Sequence, residues 1–246
     1  MKRALLMVAV LSLSLWGREG YAEPFGPSLP PDRAEGILLS AGYFRGSTEW
    51  KSETSTFPKL VVRQNQAYVE LADPSWSITE DGGGFLRIGA ADFDDGQGYK
   101  AGYKLFGSAG IRDTWYGERR SRFSVGTVLQ GSYYMGSESE STFPSGIVSK
   151  AKVTRVWEGS LGVSAQWRIG DRVLVYGGPS ATYGMLRWQR SVTNGTLEKA
   201  EYTNKDILGV FGGARLSLSR RWTLGAEAQG RGGFSGGVSV AYAYGF

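Results

Sequence analysis

The C-terminal stretch Gly236–Phe246, GGVSVAYAYGF, decides the fold. Large apolar side chains recur at every second position, from Val238 to Phe246, and the residues between them are all small. Because alternate side chains of a strand point to opposite faces, one face of this stretch is large and apolar while the other is nearly bare. An edge strand of a soluble sheet with this face would invite aggregation. A strand that closes a membrane barrel needs such a face, because lipid lies outside and a crowded lumen lies inside.

The closing stretch resembles the last strand of bacterial outer-membrane β-barrel proteins, and over residues 34–246 the pattern is similar to that of the small OmpA-type and OmpX-type barrels. The resemblance implies that a C-terminal signal is read by the barrel assembly machinery; it consists of Val240, Tyr242, Tyr244 and Phe246. It also implies outer-membrane lipid as a partner and the bacterial outer membrane as the location.

The N-terminus carries the pattern of a secretory signal peptide. Met1–Arg3 is a short basic region, an apolar run follows from Ala4 to Leu15, and small residues precede a cleavage site after Ala22. The apolar run is shorter than the ~20 residues that span a bilayer as a helix. We therefore expect a cleaved signal peptide (1–22), a periplasmic lead-in rich in proline and glycine (23–33) and a barrel (34–246).

Alternating hydrophobicity predicts an all-β, antiparallel, up-and-down transmembrane barrel. We count ten strands: Glu35–Arg45, Lys59–Ala72, Gly84–Ala91, Tyr99–Trp115, Arg122–Met135, Val153–Ile169, Arg172–Trp188, Asp206–Leu218, Trp222–Gly230 and the closing stretch. Two long polar segments, Gly136–Lys150 and Gln189–Lys205, read as loops. The alternation of long and short connections that a barrel should show slips after the second and third strands, so eight strands remain the alternative.

Aromatic side chains near strand ends or on outward faces read as interface girdles, since amphipathic rings prefer the headgroup level. They are Trp115, Trp157, Trp167, Trp188, Trp222, Tyr242 and Tyr244. Trp50, in the first predicted loop, is a candidate for stacking on a sugar or other ligand.

The composition excludes much chemistry. The chain has no histidine and no cysteine, which removes the usual nucleophile pairs and the metal sites built on imidazole or thiolate. The outer-membrane barrel enzymes that the chain resembles rely on a histidine, so we expect no enzyme, no cofactor and no metal. The net charge of +5, without a basic stripe along one face, predicts no nucleic-acid partner.

Charged residues on the small, polar face of the strands form the one candidate site. Side-chain parity points the following residues into the lumen: Glu70, Arg87, Lys100, Lys104, Glu158, Arg168 and Glu227. Buried charges are costly unless they are paired, so we expect these groups to form an ion-pair network that fills a narrow barrel. The same residues could line a gated pore with a slight anion preference.

Three functions stay open at this point. The first is a structural or surface-interaction protein that presents its extracellular loops from a sealed barrel. The second is a narrow pore for ions or small solutes. The third is a soluble periplasmic barrel that binds an apolar ligand, with the large residues turned inward.

Overall fold

A computed structural model describes residues 24–26, 37–52, 59–76, 82–95, 100–117, 121–142, 148–192 and 197–244. The predicted signal peptide and Phe246 lie outside this part of the chain. The strands are β1 (Leu38–Lys51), β2 (Lys59–Asp73), β3 (Gly83–Asp94), β4 (Lys100–Tyr116), β5 (Phe123–Thr142), β6 (Val148–Ile169), β7 (Val173–Val192), β8 (Leu197–Asn204), β9 (Leu208–Ser217), β10 (Trp222–Gly230) and β11 (Phe234–Ala243). The described residues contain no helix that is long and apolar enough to cross a membrane.

The strands form one closed antiparallel barrel. From β1 to β8 and from β9 to β11 each strand pairs with the next one in sequence, and β11 pairs with β1 from Leu38↔Ala243 to Arg45↔Gly236, which closes the sheet. β8 and β9 follow one another along β7 and occupy one position in the ring. The barrel therefore has ten strand positions, as the sequence predicts.

The two ends of the barrel differ. We call the end that holds Leu38 and Ala243 the terminal end, and the opposite end the loop end. The β10–β11 hairpin is short and ends before the other strands reach the loop end. Beyond its turn, β8 pairs directly with β1 through Trp50↔Asn204 and Lys51↔Thr203. The ring there consists of the eight strands β1 to β8, so the barrel is narrower at the loop end.

Along the terminal half, the side chains alternate as the sequence predicts. Exposed apolar residues form an outer belt, which includes Leu39, Val69, Leu86, Ile88, Leu105, Leu129, Leu161 and Val240. Polar residues such as Gln66, Ser124, Gln130, Ser164 and Gln166 are buried inside. An apolar exterior around a polar interior is the arrangement that a strand barrel needs in lipid.

At the loop end the pattern is inverted. A cluster of buried apolar and aromatic side chains fills the interior. We call it the loop-end core, and its large members include Trp50, Tyr68, Phe93, Phe106, Tyr134, Leu186, Trp188 and Tyr202. The exterior carries ion pairs instead, including Arg187–Glu201 at 2.6 Å and Lys150–Glu140 at 3.1 Å. This half of the barrel has the inside and outside of a water-soluble protein.

Register shifts correct two assignments of side-chain direction. Strand alternation in the sequence predicts an outward Ala101, on the same face as Leu105, but the register of the β3–β4 ladder shifts between Ala91 and Phe93, and Ala101 is 3% exposed. Alternation also puts Val153 on one face with Leu161, but a second shift lies at Val153/Arg155 in the β6–β7 ladder, and Val153 is 2% exposed. An extra residue in one strand reverses the direction of every side chain beyond it, which explains both errors.

Both segments predicted as polar loops are mostly strand. β5 continues to Thr142 and β6 begins at Val148, while β7 reaches Val192 and β8 occupies Leu197–Asn204. These extensions rise beyond the belt, where their outward side chains face water and are polar. The extended strands also change two predictions about aromatic residues. Trp188, predicted in an interface girdle, and Trp50, predicted in a loop, both lie inside the loop-end core.

Candidate functional site in the barrel lumen

Glu70 is the centre of an ion-pair cluster inside the terminal half of the lumen. Arg87 Nε donates to Glu70 Oε2 at 2.6 Å, and Arg112 donates to both carboxylate oxygens at 3.1 and 3.0 Å. All three side chains are less than a tenth exposed. Both guanidinium groups also lie over the ring of Phe85, at 4.6 and 4.1 Å from its centroid. Two-sided pairing and ring stacking stabilise charges that burial would otherwise penalise.

Glu227, on β10, forms a second buried centre. Tyr176 donates its hydroxyl hydrogen to Oε2 at 2.8 Å, and Gln229 Nε2 donates to Oε1 at 2.7 Å. The backbone N–H groups of Phe25 and Gly26 donate to the same two oxygens, each at 2.7 Å. The structure describes three residues of the predicted lead-in, Pro24–Gly26, and all three are buried within the barrel.

Glu158 and Arg231 meet closer to the loop end. Arg231 Nη2 lies 4.0 Å from Glu158 Oε1, and both side chains are 3% exposed. Arg231 follows β10 directly and also donates to Thr48 Oγ1 at 3.3 Å. It enters the lumen from the short β10–β11 turn, just below the point where β8 reaches β1.

The predicted lumen residues are therefore divided among several places. Glu70 and Arg87 pair with each other, whereas Glu158 and Glu227 have partners outside the predicted set. Lys100 and Lys104 are exposed at the loop end, where the β3–β4 register shift turns the strand. Arg168 is half-buried at the terminal end of β6. The seven residues do not form one continuous network.

Four lumen residues were missing from the prediction: Arg112, Tyr176, Arg215 and Arg231. Arg112 and Arg215 occupy the positions next to outward apolar residues, Ile111 and Leu216, so strand parity alone could have found them. Tyr176 lies in the one strand whose faces are both mixed in sequence. Arg231 lies in a turn, where no periodicity exists.

The side chains leave little empty space in the part of the lumen between the Glu70 and Glu227 clusters. A cavity of about 30 Å³ lies between the Glu70 and Glu227 clusters, bordered by Arg87, Arg112, Arg215 and Tyr68. Such a volume holds on the order of one or two water molecules. Beyond it the loop-end core fills the barrel. Among the described residues, no group of three or more acidic, histidine or cysteine side chains could hold a metal ion.

Comparison with known proteins places the fold. No family model and no curated protein matches the chain. The outer-membrane protease OmpT from Escherichia coli is similar in structure, with 9% identity, 86% of this chain and 97% of that chain covered, and a TM-score of 0.50. The translocator domain of the autotransporter NalP from Neisseria meningitidis matches with 12% identity, 99% and 95% coverage, and a TM-score of 0.47. Ail, the attachment invasion locus protein of Yersinia pestis, matches with 14% identity, 85% and 98% coverage, and a TM-score of 0.33.

The fold is that of a bacterial outer-membrane β-barrel. The closed ten-stranded sheet matches the OmpT barrel over most of both chains, and the apolar belt supplies the surface that lipid requires. The chain is accordingly an outer-membrane barrel, as its closing strand predicts. At these identities the likeness extends to the fold alone.

Proposed function

We propose that this protein is a sealed outer-membrane barrel with a structural or surface-interaction role, exercised through its loop end. The loop-end core carries this proposal, because it fills the barrel where a pore would have to open. Its side chains are large and closely packed, and Tyr134, Leu186 and Tyr202 are fully buried. A filled lumen leaves the outer surface of the loop end as the place where function can reside.

That outer surface is well suited to binding a partner. The β5–β6 hairpin projects beyond the belt and is held by cross-strand ion pairs, Glu138–Lys152 and Glu140–Lys150. The β7–β8 hairpin beside it carries Arg187–Glu201. Paired strands hold these charges in fixed positions, whereas charges on free loops would lose conformational entropy on binding.

A narrow pore is the second candidate, and conductance separates the two. We expect the protein in a planar lipid bilayer to give no stable single-channel steps. A Trp50→Gly/Trp188→Gly double variant, which removes two large members of the core, serves as the matched control. Reproducible steps from the unchanged protein would overturn the sealed barrel.

A soluble barrel that binds an apolar ligand would have its large residues inside along its whole length. The belt argues against this, since Ile88 is 64% and Leu129 is 50% exposed. Washed outer-membrane fractions provide the test: boiled and unboiled samples of a folded membrane barrel migrate differently on a gel. Recovery of the protein wholly in the soluble periplasm would contradict the proposal.

The proposed role is not catalytic. OmpT is named a protease, but a shared fold does not carry an activity with it. This chain has no histidine, and two of its buried acids, Glu70 and Glu227, accept hydrogen bonds from neighbouring side chains rather than facing a substrate. Cleavage of a basic peptide by the purified barrel would refute this part of the proposal.

We further propose that the closing strand serves as the signal for the barrel assembly machinery. Val240 and Tyr244 are exposed on the outer face of the barrel, at the seam where β11 meets β1. Deletion of Phe246 should reduce the yield of heat-modifiable protein in the outer membrane, whereas Arg220→Ala in an exposed terminal-end turn should not. Kinship with the OmpA-type and OmpX-type barrels in particular also stays a prediction.

A further inference from the structure

The lumen contains a short piece of the chain that belongs to no strand, Pro24–Gly26. We propose that the terminal half of the lumen is a built binding site for this N-terminal segment, and that the segment seats there as a plug once the residues before Glu23 have been removed. The second part rests on the predicted signal peptide. Neither part depends on the partner-binding role of the loop end.

The polar part of the site recognises the backbone of the segment. Glu227 accepts two consecutive N–H groups, one on each carboxylate oxygen, and Arg112 Nε donates to the carbonyl oxygen of Phe25 at 3.2 Å. Buried backbone groups need such partners, and hydrogen bonds to charged groups are the stronger kind. The protein thus supplies an acceptor and a donor of opposite charge for one peptide unit.

The apolar part of the site holds the Phe25 ring. Phe25 is 1% exposed and lies with Phe85, Val128, Tyr176 and Phe211 in a cluster separate from the loop-end core. Its ring centroid is 4.7 Å from that of Phe211. Gly162 on β6 leaves room for the ring, since a Cβ there would lie 3.2 Å from Phe25.

Gly26 fits the site only as glycine. Its φ is +69°, a conformation that other residues rarely adopt. A Cβ at this position would lie 3.1 Å from an Arg215 Nη2 and 3.2 Å from an Arg112 Nη2. The lumen is therefore complementary to two adjacent residues of the segment, Phe25 and Gly26.

The fit also explains why processing should come first. Cleavage after Ala22 makes Phe25 the third residue of the mature chain, so only two residues would precede it. Beyond the segment, the loop-end core closes the barrel. We expect that 22 further residues before Glu23 would have to turn back past the seated segment and would hinder its seating.

The absence of cysteine from the chain allows a direct test. Single variants Pro24→Cys and Arg220→Cys place a thiol on the buried segment and on an exposed terminal-end turn. In folded protein we expect a water-soluble maleimide to label the first at least about tenfold more slowly than the second, because each charge-assisted hydrogen bond contributes on that scale. Equal rates would overturn the binding site.

Two further changes test the specific contacts in the Pro24→Cys background. Glu227→Gln and Gly26→Ala should each raise the labelling rate about tenfold or more. Gly102→Ala, where no heavy atom lies within 4 Å of the added Cβ, should leave it unchanged. Heat-modifiable migration confirms that each variant is folded before labelling. If neither of the first two changes alters the rate, the proposed contacts are wrong.

The processing step is tested by refolding two forms of the Pro24→Cys chain in detergent, residues 1–246 and residues 23–246. The shorter form should be protected, while the longer one should be labelled nearly as fast as the Arg220→Cys control. Equal protection of both forms would refute the requirement for cleavage, even if the binding site itself were supported.

Discussion

Glu70 compensates the charges of two buried arginines, Arg87 and Arg112. Replacement by alanine would leave Arg87 and Arg112 inside the barrel without their carboxylate. Breaking a buried pair in this way costs about 3–5 kcal/mol. We therefore expect Glu70→Ala to lower the free energy of unfolding by that amount, measured by denaturant titration of the barrel in detergent.

The matched control for that measurement is Glu140→Ala. Glu140 also pairs with a base, Lys150, but their side chains are 54% and 67% exposed. Exposed pairs contribute little to stability, so the control should unfold like the unchanged protein. Equal losses in the two variants would show that burial does not set the strength of these pairs.

Glu49, on the water-facing outside of the loop end, should make stability depend on pH. Burial alone would raise the pKa of its carboxyl, but the hydrogen bond from Lys205 and the charges of Lys205 and Lys59 outweigh burial and lower the pKa below its usual value of 4.5. A depressed pKa stabilises the folded state above 4.5, and this contribution disappears as the pH falls through the lower folded value.

Amide exchange at the loop-end residues of β1 and β8 should therefore accelerate as the pH is lowered below 4.5, after correction for the intrinsic exchange rate. The backbone hydrogen bond from Lys205 N to Glu49 O makes this seam a direct reporter. Glu49→Gln should remove the pH-dependent part, which is at most about 1 kcal/mol. An unchanged pH profile in that variant would exclude Glu49 as the cause.

At the scale of strands, the loop-end core should behave as the core of a soluble protein. Trp50 on β1 is 1% exposed, and truncation to alanine would leave a large cavity. Such changes cost about 3–5 kcal/mol. We expect Trp50→Ala to lower the free energy of unfolding by that amount, whereas Trp115→Ala, at a site 60% exposed, should have a much smaller effect in detergent.

The strands that cross the belt could be predicted from sequence, because two solvents act on them: lipid outside and a polar lumen inside. Leu86, Arg87 and Ile88 on β3 show this alternation without interruption. Beyond the belt water lies outside, so a polar outward face no longer separates a strand from a loop. For that reason the sequence predicts a loop where β8 lies.

The lumen site was predictable only where parity holds. Glu70 and Arg87 face each other across β2 and β3 in register, and strand parity points both of them into the lumen. Lys100 lies beyond a register shift that leaves no mark in the sequence. Phe25 belongs to a segment without any period, and only the closed barrel shows the pocket that receives it.

At the scale of the whole molecule, one half of the barrel is built like a membrane protein and the other half like a water-soluble protein. The belt surrounds a polar lumen in the terminal half, while charges surround an apolar core in the loop-end half. The boundary lies near the register shifts in the β3–β4 and β6–β7 ladders. On β2 the even-numbered side chains point inward throughout and change from Glu70 and Gln66 to Val62 and Leu60 without a register shift in the β1–β2 ladder, so the sequence itself sets the change of interior.

This division predicts that replacing an exposed aliphatic residue with arginine will have different effects in the two halves of the barrel. Ile88 and Val61 are both exposed aliphatic residues, 64% and 44% respectively, but Ile88 lies in the belt and Val61 lies between Lys59 and Arg63 at the loop end. Arginine in the middle of the belt costs about 2–4 kcal/mol, and near water about 0–1 kcal/mol. Ile88→Arg should therefore lower the free energy of unfolding in lipid vesicles by that larger amount, and Val61→Arg should change it little. If both variants lost the same amount, the membrane would have to cover the loop end as well, and the two-solvent description of the barrel would be wrong.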